Sequence, residues 1–234
     1  MQPTTKIQPD SHDKRGDSTR FALIEAGLDL FGEFGFKGTT TRMLSDSASA
    51  NISAIPYYFG SKKGLYLAVM EYIVERMQEH FVEVRVVMEK MQRSGPISRD
   101  QALDAMKMMI QSIAQLFVES DEPKAWVQLI MREQARPTDA FDIIYDGQMK
   151  YVQKIFSSLI AVCVYAHQDS DEVKLRCHAL MGQILIFILS RESLLRHLNV
   201  RKLTDEHINL IYKILISHAE ACLSITISDA GLKK

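Results

Sequence analysis

Apolar residues recur at intervals of three and four along most of the chain, with polar residues between them. This spacing predicts amphipathic helices, because a helical turn takes about 3.6 residues. Strict alternation of apolar and polar residues, the pattern of strands, is nearly absent. We therefore expect an all-α protein, with an N-terminal three-helix helix-turn-helix domain and a larger C-terminal helical domain.

Prolines and small polar residues separate the periodic segments and predict where each helix ends. The resulting domain boundaries are a disordered tail at 1–17, a helix-turn-helix domain at 18–66, a helical domain at 67–228 and a C-terminal tail at 229–234. The predicted helices are 18–34, 40–48, a short helix ending near 59, 62–92, 98–120, 124–136, 139–165, 170–197 and 204–227.

Two short helices joined by a brief turn, between a preceding helix and a long following one, are the pattern of a helix-turn-helix module. Thr40 is the predicted N-cap of the first short helix, and Ser61 is the predicted N-cap of the long helix. The long helix carries one apolar stripe, formed by Leu65, Val69, Ile73, Met77 and Phe81.

Composition and charge favour some classes of protein and argue against others. The chain of 234 residues is 47% hydrophobic and 24% charged, which is typical of a folded globular protein. A net charge of −1 argues against a protein that coats nucleic acid over its whole surface. Residues 14–63 carry seven basic and five acidic side chains, so the helix-turn-helix segment is slightly basic within a slightly acidic chain.

The sequence also predicts what the protein lacks. No apolar run approaches the ~20 residues of a membrane-spanning helix, and 1–17 has no apolar segment typical of a secretory signal, so we expect a cytoplasmic protein with no membrane partner. Cys163, Cys177 and Cys222 are expected to be reduced core thiols. Nucleotide-binding, zinc-protease, hydrolase and calcium-loop motifs are missing, so we expect neither an enzyme nor a bound cofactor or metal.

The helix-turn-helix segment resembles a known family. The residues that carry the resemblance are FGEFGFKGTTTR at 31–42, ASAN at 48–51 and YYFGSKKGL at 57–65. In this order they resemble the N-terminal DNA-binding domain of the TetR family of transcriptional regulators. More weakly, MREQARPTDAF at 131–141 and ALMGQI at 179–184 resemble the C-terminal domain of its CecR/YbiH-like branch.

The resemblance implies an all-α homodimer that binds an inverted-repeat operator in double-stranded DNA and is released by a small, largely apolar effector. Hydroxyls and ammonium groups at matching positions would hold phosphates, Arg42 would contact guanine or phosphate, and 51–54 would read base edges. The full set of expected DNA-binding residues is Thr39, Thr40, Arg42, Asn51, Ile52, Ser53, Ala54, Tyr57, Tyr58, Lys62 and Lys63.

The effector pocket and the dimer interface are expected in the C-terminal domain. The last two long helices are apolar on more than one face, which suits either the centre of the monomer or contact with a second subunit. Methionine and aromatic side chains offer adaptable apolar surface for a ligand. The candidates for lining the pocket are Met108, Met109, Phe117, Trp126, Ile130, Met131, Phe156 and Phe187.

Two residues depart from the family pattern. Ser49 stands where the turn usually has glycine, and Pro56 replaces a tyrosine common in the recognition helix. Pro56 would break a helix begun at Asn51 but is tolerated in the first turn if Ser53 is the N-cap, so we expect a shortened or bent recognition helix. An alternative is a dimeric small-molecule-binding protein with impaired DNA recognition.

Overall fold

The computed structural model describes residues 11–116 and 123–225, and their regular secondary structure is helical. The predicted all-α class is therefore confirmed. In chain order the helices are α1 (Ser11–Gly38), α2 (Thr41–Ser47), α3 (Ala54–Phe59), α4 (Lys62–His80), α5 (Val82–Arg93), α6 (Arg99–Ala114), α7 (Pro123–Ala135), α8 (Asp139–Ile144), a π-helical turn (Tyr145–Met149), α9 (Lys150–Val164), α10 (Asp171–Leu189), α11 (Arg191–Leu198) and α12 (Asp205–Ser224).

The chain divides into two compact units. The first contains Met1–Glu75 and Gln128–Ile144, and the second contains Arg76–Val127 and Tyr145–Lys234. The first unit thus extends beyond the domain expected at 18–66 and includes a second, distant segment. Hydrogen bonds from that segment to α1 and α4 explain why it belongs there.

In the first unit, α1, α2 and α3 pack against one another around fully buried apolar side chains. Phe31 of α1 is completely buried, whereas Phe34, one turn later, is 47% exposed. The side chains that are 0% exposed include Leu23 and Phe31 of α1, Leu44 of α2, Ile55 of α3 and Leu65 of α4. The apolar stripe predicted for α4 is confirmed, since all five of its members from 65 to 81 are buried.

Helix ends in the first unit agree with the local signals. The Thr40 side chain caps α2 by accepting a bond from the Met43 N–H, and the Ser61 side chain caps α4 by accepting one from the Gly64 N–H. A kink at Gly35 (φ 73°) interrupts α1 close to its predicted end. α1 begins at Ser11, so residues 11–17, which were expected to belong to a disordered tail, are helical. Residues 1–10 and the tail expected at 229–234 lie outside the described residues.

In the second unit, α9 packs against α6, α10 and α12. Three helices predicted as continuous are interrupted. The predicted 62–92 helix is divided at Phe81 (φ −91°, ψ 9°), and 139–165 contains the π-helical turn. The predicted 170–197 helix bends by 69° between α10 and α11. Proline and glycine are absent from the first and last of these breaks, so no local sequence signal predicted them.

No single helix among the described residues is both long and apolar enough to cross a bilayer, although α10 and α11 together meet the length and composition test across their bend.

Candidate DNA interface and effector site

The turn between α2 and α3 is regular even though it lacks glycine. Ser49 lies in the left-handed region at φ 49°. The N–H of Ala50 bonds the carbonyl of Ser45 at 2.9 Å, and the N–H of Ser49 bonds that of Asp46 at 3.2 Å. These two bonds form a Schellman motif, with serine in the position usually held by glycine. The turn is therefore strained at one residue without being distorted.

The expected shortening of the recognition helix is confirmed. α3 contains only six residues, with Ser53 as its N-cap residue and Pro56 in its first turn, where a missing N–H is tolerated. The Ser53 side chain makes no capping bond. Instead, the Oδ1 of Asn51 accepts bonds from both the N–H and the hydroxyl of Ser53, each at 2.9 Å. Asn51 thereby fixes the entry to α3.

Most of the predicted contact residues in this region reach the surface. Arg42, Asn51, Ser53 and Thr40 are exposed, Ile52 is 53% exposed and Tyr57 is 81% exposed, while Ala54 and Tyr58 are half-buried. The Tyr57 and Tyr58 rings meet edge to face at 4.8 Å. The Arg42 side chain forms a long ion pair with Asp46, at 3.8 Å on exposed surface. We call Thr40, Arg42, Asn51, Ile52 and Tyr57 the helix-turn-helix surface.

Two of the predicted phosphate contacts serve the interior of the unit instead. Thr39 is fully buried, and its hydroxyl donates to the carbonyls of Leu30 and Gly35. The Lys62 ammonium donates to the carbonyls of Phe36 and Thr39 and lies 4.4 Å from the Phe36 ring centroid. The prediction that Thr39 contacts a phosphate is wrong, because its hydroxyl is buried and already hydrogen-bonded to backbone carbonyls. Lys62 therefore links the start of α4 to the end of α1 and to Thr39 just after it.

The start of α4 combines close packing with charge. Lys63 is exposed and pairs with Asp139 at 2.5 Å, and this hydrogen bond lowers the pKa of the Asp139 carboxyl. A Cβ on Gly64 would overlap the carbonyl oxygen of Phe59, so only glycine lets α4 begin this close to α3. The amides at this helix start and the Lys63 ammonium favour an anion.

Sequence reasoning missed the residues that join the 128–144 segment to the helix-turn-helix. Arg132 donates to the carbonyls of Gly32 and Glu33 at 3.3 and 3.1 Å, which caps the end of the straight part of α1. Glu133, only 3% exposed, accepts a bond of 2.7 Å from the Tyr66 hydroxyl. Burial, followed by this hydrogen bond, raises the pKa of Tyr66. The other Glu133 oxygen accepts from the N–H and hydroxyl of Thr138, each at 2.9 Å.

The predicted effector residues differ in their burial. Met109, Trp126, Ile130 and Phe156 are buried, and Met108, Met131 and Phe187 are half-buried. Phe117 lies outside the described residues, and Ile130 and Met131 belong to the first unit rather than the C-terminal body. An apolar side chain is buried in the same way whether it packs in the core or contacts a ligand. The assignment of these residues to an effector site therefore stays a prediction.

A cavity of about 370 Å³ opens in the second unit beside α5 and α9, a size within the range of small-molecule sites. None of the predicted effector residues lines it. Its walls are mainly apolar, with Lys154, Ser158 and Gln168 as polar members. The other lining residues are Met88, Met91, Gly95, Pro96, Ile97, Ile155, Leu159 and Val162.

The last long helices expose regular apolar stripes. On α10 the exposed residues alternate at intervals of four and three, which is the spacing of a helix-packing seam. The α10 stripe contains Leu175, Ala179, Gly182, Ile186 and Leu189. On α12, which packs beside α10, the exposed stripe contains Leu210, Ile214, Ser217, Ala221 and Ile225 just past its end. Cys163 and Cys177 are buried free thiols, and Cys222 is a half-buried one.

Comparison with known proteins identifies the family. Residues 23–69 match the family described as bacterial regulatory proteins, tetR family, and residues 102–224 match the C-terminal domain of the HTH-type transcriptional dual regulator CecR. CecR of Shigella flexneri is 30% identical over 213 residues, covering 89% of this chain and 93% of that protein. The chain belongs to the TetR family. Its family members are transcriptional regulators rather than enzymes.

Solved structures support the same fold across both units. AibR, crystallised with isovaleryl coenzyme A and operator DNA, has a TM-score of 0.61 at 13% identity, covering 86% of this chain and 97% of its own. The fatty acid degradation regulator FadR from Bacillus halodurans has a TM-score of 0.57 at 12% identity, covering 91% of this chain and 97% of its own.

Within 11–116 and 123–225, no group of three or more His, Cys, Asp or Glu side chains is arranged to hold a metal ion.

Proposed function

We propose that this TetR-family regulator is a ligand-responsive repressor that binds an inverted-repeat operator as a homodimer. The observation that carries the proposal is the helix-turn-helix surface, where a regular turn presents exposed polar side chains from α2 and from the entry to α3. Such a surface matches the geometry of a short helix entering the major groove.

The DNA-facing roles divide by chemistry. Thr40, Tyr57 and Tyr58 offer hydroxyls and Lys63 an ammonium beside the start of α4, so these groups suit phosphates and fix the register. Arg42 and Asn51 carry donors suited to base edges, and Ile52, Ser53 and Ala54 lie beside them on the same loop and helix start. Each good bidentate base contact contributes about 1–3 kcal/mol of discrimination.

The homodimer would form through α10 and α12. Their two exposed stripes are apolar or small along their whole length, and a Cβ on Gly182 would meet nothing within 4 Å, so a second helix has room to approach. A buried patch of this kind is stabilised by removing its apolar surface from water. We expect Ile186→Glu to yield monomers by light scattering, whereas Lys202→Glu, an exposed control ahead of α12, leaves the dimer intact.

An effector in the second unit would release the operator. Its binding must favour one of two dimer states, and such coupling energies are typically 1–3 kcal/mol, or about 5- to 150-fold in DNA affinity. The apolar lining of the cavity beside α5 and α9 suits a largely apolar ligand. Operator binding would place the protein in the cytoplasm.

The alternative, a dimeric binding protein with impaired DNA recognition, depended on Ser49 and Pro56. Ser49 occupies an intact Schellman turn, and Pro56 falls in the first turn of α3. Neither residue disrupts the loop that presents Asn51, so repression is the favoured proposal.

The test is selection of binding sites from a random duplex pool, followed by titration with each variant. Wild-type protein should enrich an inverted repeat. Asn51→Ala should lower affinity for the selected site and relax preference at one base pair, and Lys63→Ala should weaken binding to selected and scrambled duplexes alike. Lys202→Glu serves as the surface control. Enrichment of no sequence by folded, ligand-free protein would refute the proposal and favour the alternative.

A further inference from the structure

Three buried hydrogen-bond donors lie together where α5 meets the π-helical turn and the start of α9. They are the Nε of Arg85, the Nε2 of Gln148 and the hydroxyl of Tyr151, and none of these atoms has a partner among the described residues. The Gln148 side chain is 0% exposed. Buried polar groups in native proteins are nearly always paired, so three unpaired donors at one place call for acceptors from outside the chain.

Close contacts bring the three side chains into one cluster. The Nη2 of Arg85 donates to the Oε1 of Gln148 at 3.5 Å, and the guanidinium carbon lies 4.6 Å from the centre of the Tyr151 ring. Gln78 steadies the π-helical turn by donating to the carbonyl of Gly147 at 2.9 Å. A π-helical turn inside a longer helical segment is frequently found at a functional site.

Two of the unpaired atoms, the Nε of Arg85 and the Nε2 of Gln148, can only donate, and the Tyr151 hydroxyl can also donate. The amide oxygen of Gln148 already accepts a bond from Arg85. Burial raises the pKa of the Tyr151 hydroxyl, which therefore stays protonated at neutral pH. Within the described chain, no carboxylate pairs with Arg85. Nearby carboxylates have other partners, since Glu89 pairs with Arg93 at 3.5 Å and Asp146 with Lys150 at 3.0 Å. The complement of this cluster is an anion with several acceptors.

The cluster lies one helical turn from the apolar cavity beside α5 and α9. Met88 follows Arg85 by one turn on α5, and Met88 and Met91 both line the cavity. Ile155 and Leu159 follow Tyr151 by one and two turns on the same side of α9, and they line the cavity as well. The three donors are not among the lining residues, but each helix that carries Arg85 or Tyr151 leads from that donor to the cavity wall within one turn.

We propose that Arg85, Gln148 and Tyr151 bind the carboxylate of an amphipathic carboxylic acid whose apolar part occupies the cavity of Met88, Met91, Ile155 and Leu159. A guanidinium suits a carboxylate because its planar fork can donate two parallel bonds. This inference rests on the proposed function, for which it names the chemical class of the effector.

Calorimetric titration of the full-length protein tests the carboxylate. Octanoate and phenylbutyrate are the probes, and octanamide is the neutral match. At least one acid should bind, with octanamide weaker by tenfold or more. Arg85→Gln should weaken acid binding by about 10- to 100-fold, as expected for loss of a charged hydrogen bond. Lys154→Gln, which removes the cavity's own ammonium, should change it less than about threefold.

Several results would overturn the inference. The first is that neither acid binds at about 10 mM. The second is that octanoate and octanamide bind equally well. The third is that Lys154→Gln weakens acid binding more than Arg85→Gln does. Circular dichroism checks that the variants fold. Tyr151→Phe gives a readout without ligand: the melting temperature should stay unchanged or rise, and a marked fall would show that the hydroxyl is already paired.

DNA titration of the same samples separates this inference from the proposed function. Sequence-specific DNA binding without acid binding would overturn the carboxylate site and leave repression standing. Acid binding by a protein that recognises no DNA sequence would support the site and refute repression. If both hold, octanoate or phenylbutyrate should weaken operator binding of the wild type and not of Arg85→Gln.

Discussion

Glu133 is the central polar contact between the 128–144 segment and the helix-turn-helix, and its removal should destabilise the first unit. Glu133→Ala deletes the 2.7 Å bond from the buried Tyr66 hydroxyl and two 2.9 Å bonds from Thr138. A bond to a buried charged group contributes about 1.5–3 kcal/mol, and each bond from the more exposed Thr138 about 1 kcal/mol. Together they predict a loss of roughly 3–5 kcal/mol.

Urea unfolding followed by circular dichroism, at fixed protein concentration, measures this loss. Glu25→Ala removes an exposed carboxylate from α1 and should change the free energy of unfolding by less than about 0.5 kcal/mol. A double-mutant cycle of Glu133→Gln with Tyr66→Phe should give a coupling energy of about 1 kcal/mol or more. The reasoning is refuted if Glu133→Ala costs no more than Glu25→Ala, or if the cycle shows no coupling.

Three further predictions follow from local geometry. Ser49→Gly should stabilise the protein by about 0.5–1 kcal/mol, since relief of ~1–2 kcal/mol of left-handed strain exceeds the entropy that glycine adds to the unfolded chain; an unchanged urea midpoint would contradict it. Gly64→Ala should destabilise by about 1–3 kcal/mol because its methyl group meets the Phe59 carbonyl, and a wild-type melting temperature would count against that contact. Burial raises the pKa of Cys163 and Cys177, so iodoacetamide should modify both thiols far more slowly in native protein than in urea, as peptide mass spectrometry would show.

Local signals predicted the elements that local physics controls. The caps at Thr40 and Ser61 and the apolar stripe of α4 were predictable because each depends on residues within a turn or two. The short α3 followed from the fixed φ and missing N–H of Pro56. The breaks at Phe81 and Ser190 carry no such signal, because neither proline nor glycine stands at either position.

The site was less predictable because its side chains have more than one suitable partner. A threonine hydroxyl or a lysine ammonium can donate to a phosphate or to a backbone carbonyl. In the folded chain, Thr39 and Lys62 both donate to backbone carbonyls. Arg132 caps a helix about a hundred residues away in sequence, which periodicity cannot show. Arg85 and Gln148 come together only through the packing of α5 against the π-helical turn.

Fluorescence anisotropy titration of the selected duplex tests the central claim most directly. The titration would be run at two salt concentrations against a scrambled duplex and a duplex with one half-site replaced. The account predicts two chains per intact site, preference for that site of about 10³-fold or more over the scrambled duplex, and affinity that falls steeply with salt. Equal affinity for intact and scrambled duplexes, or one chain bound per duplex, would contradict it.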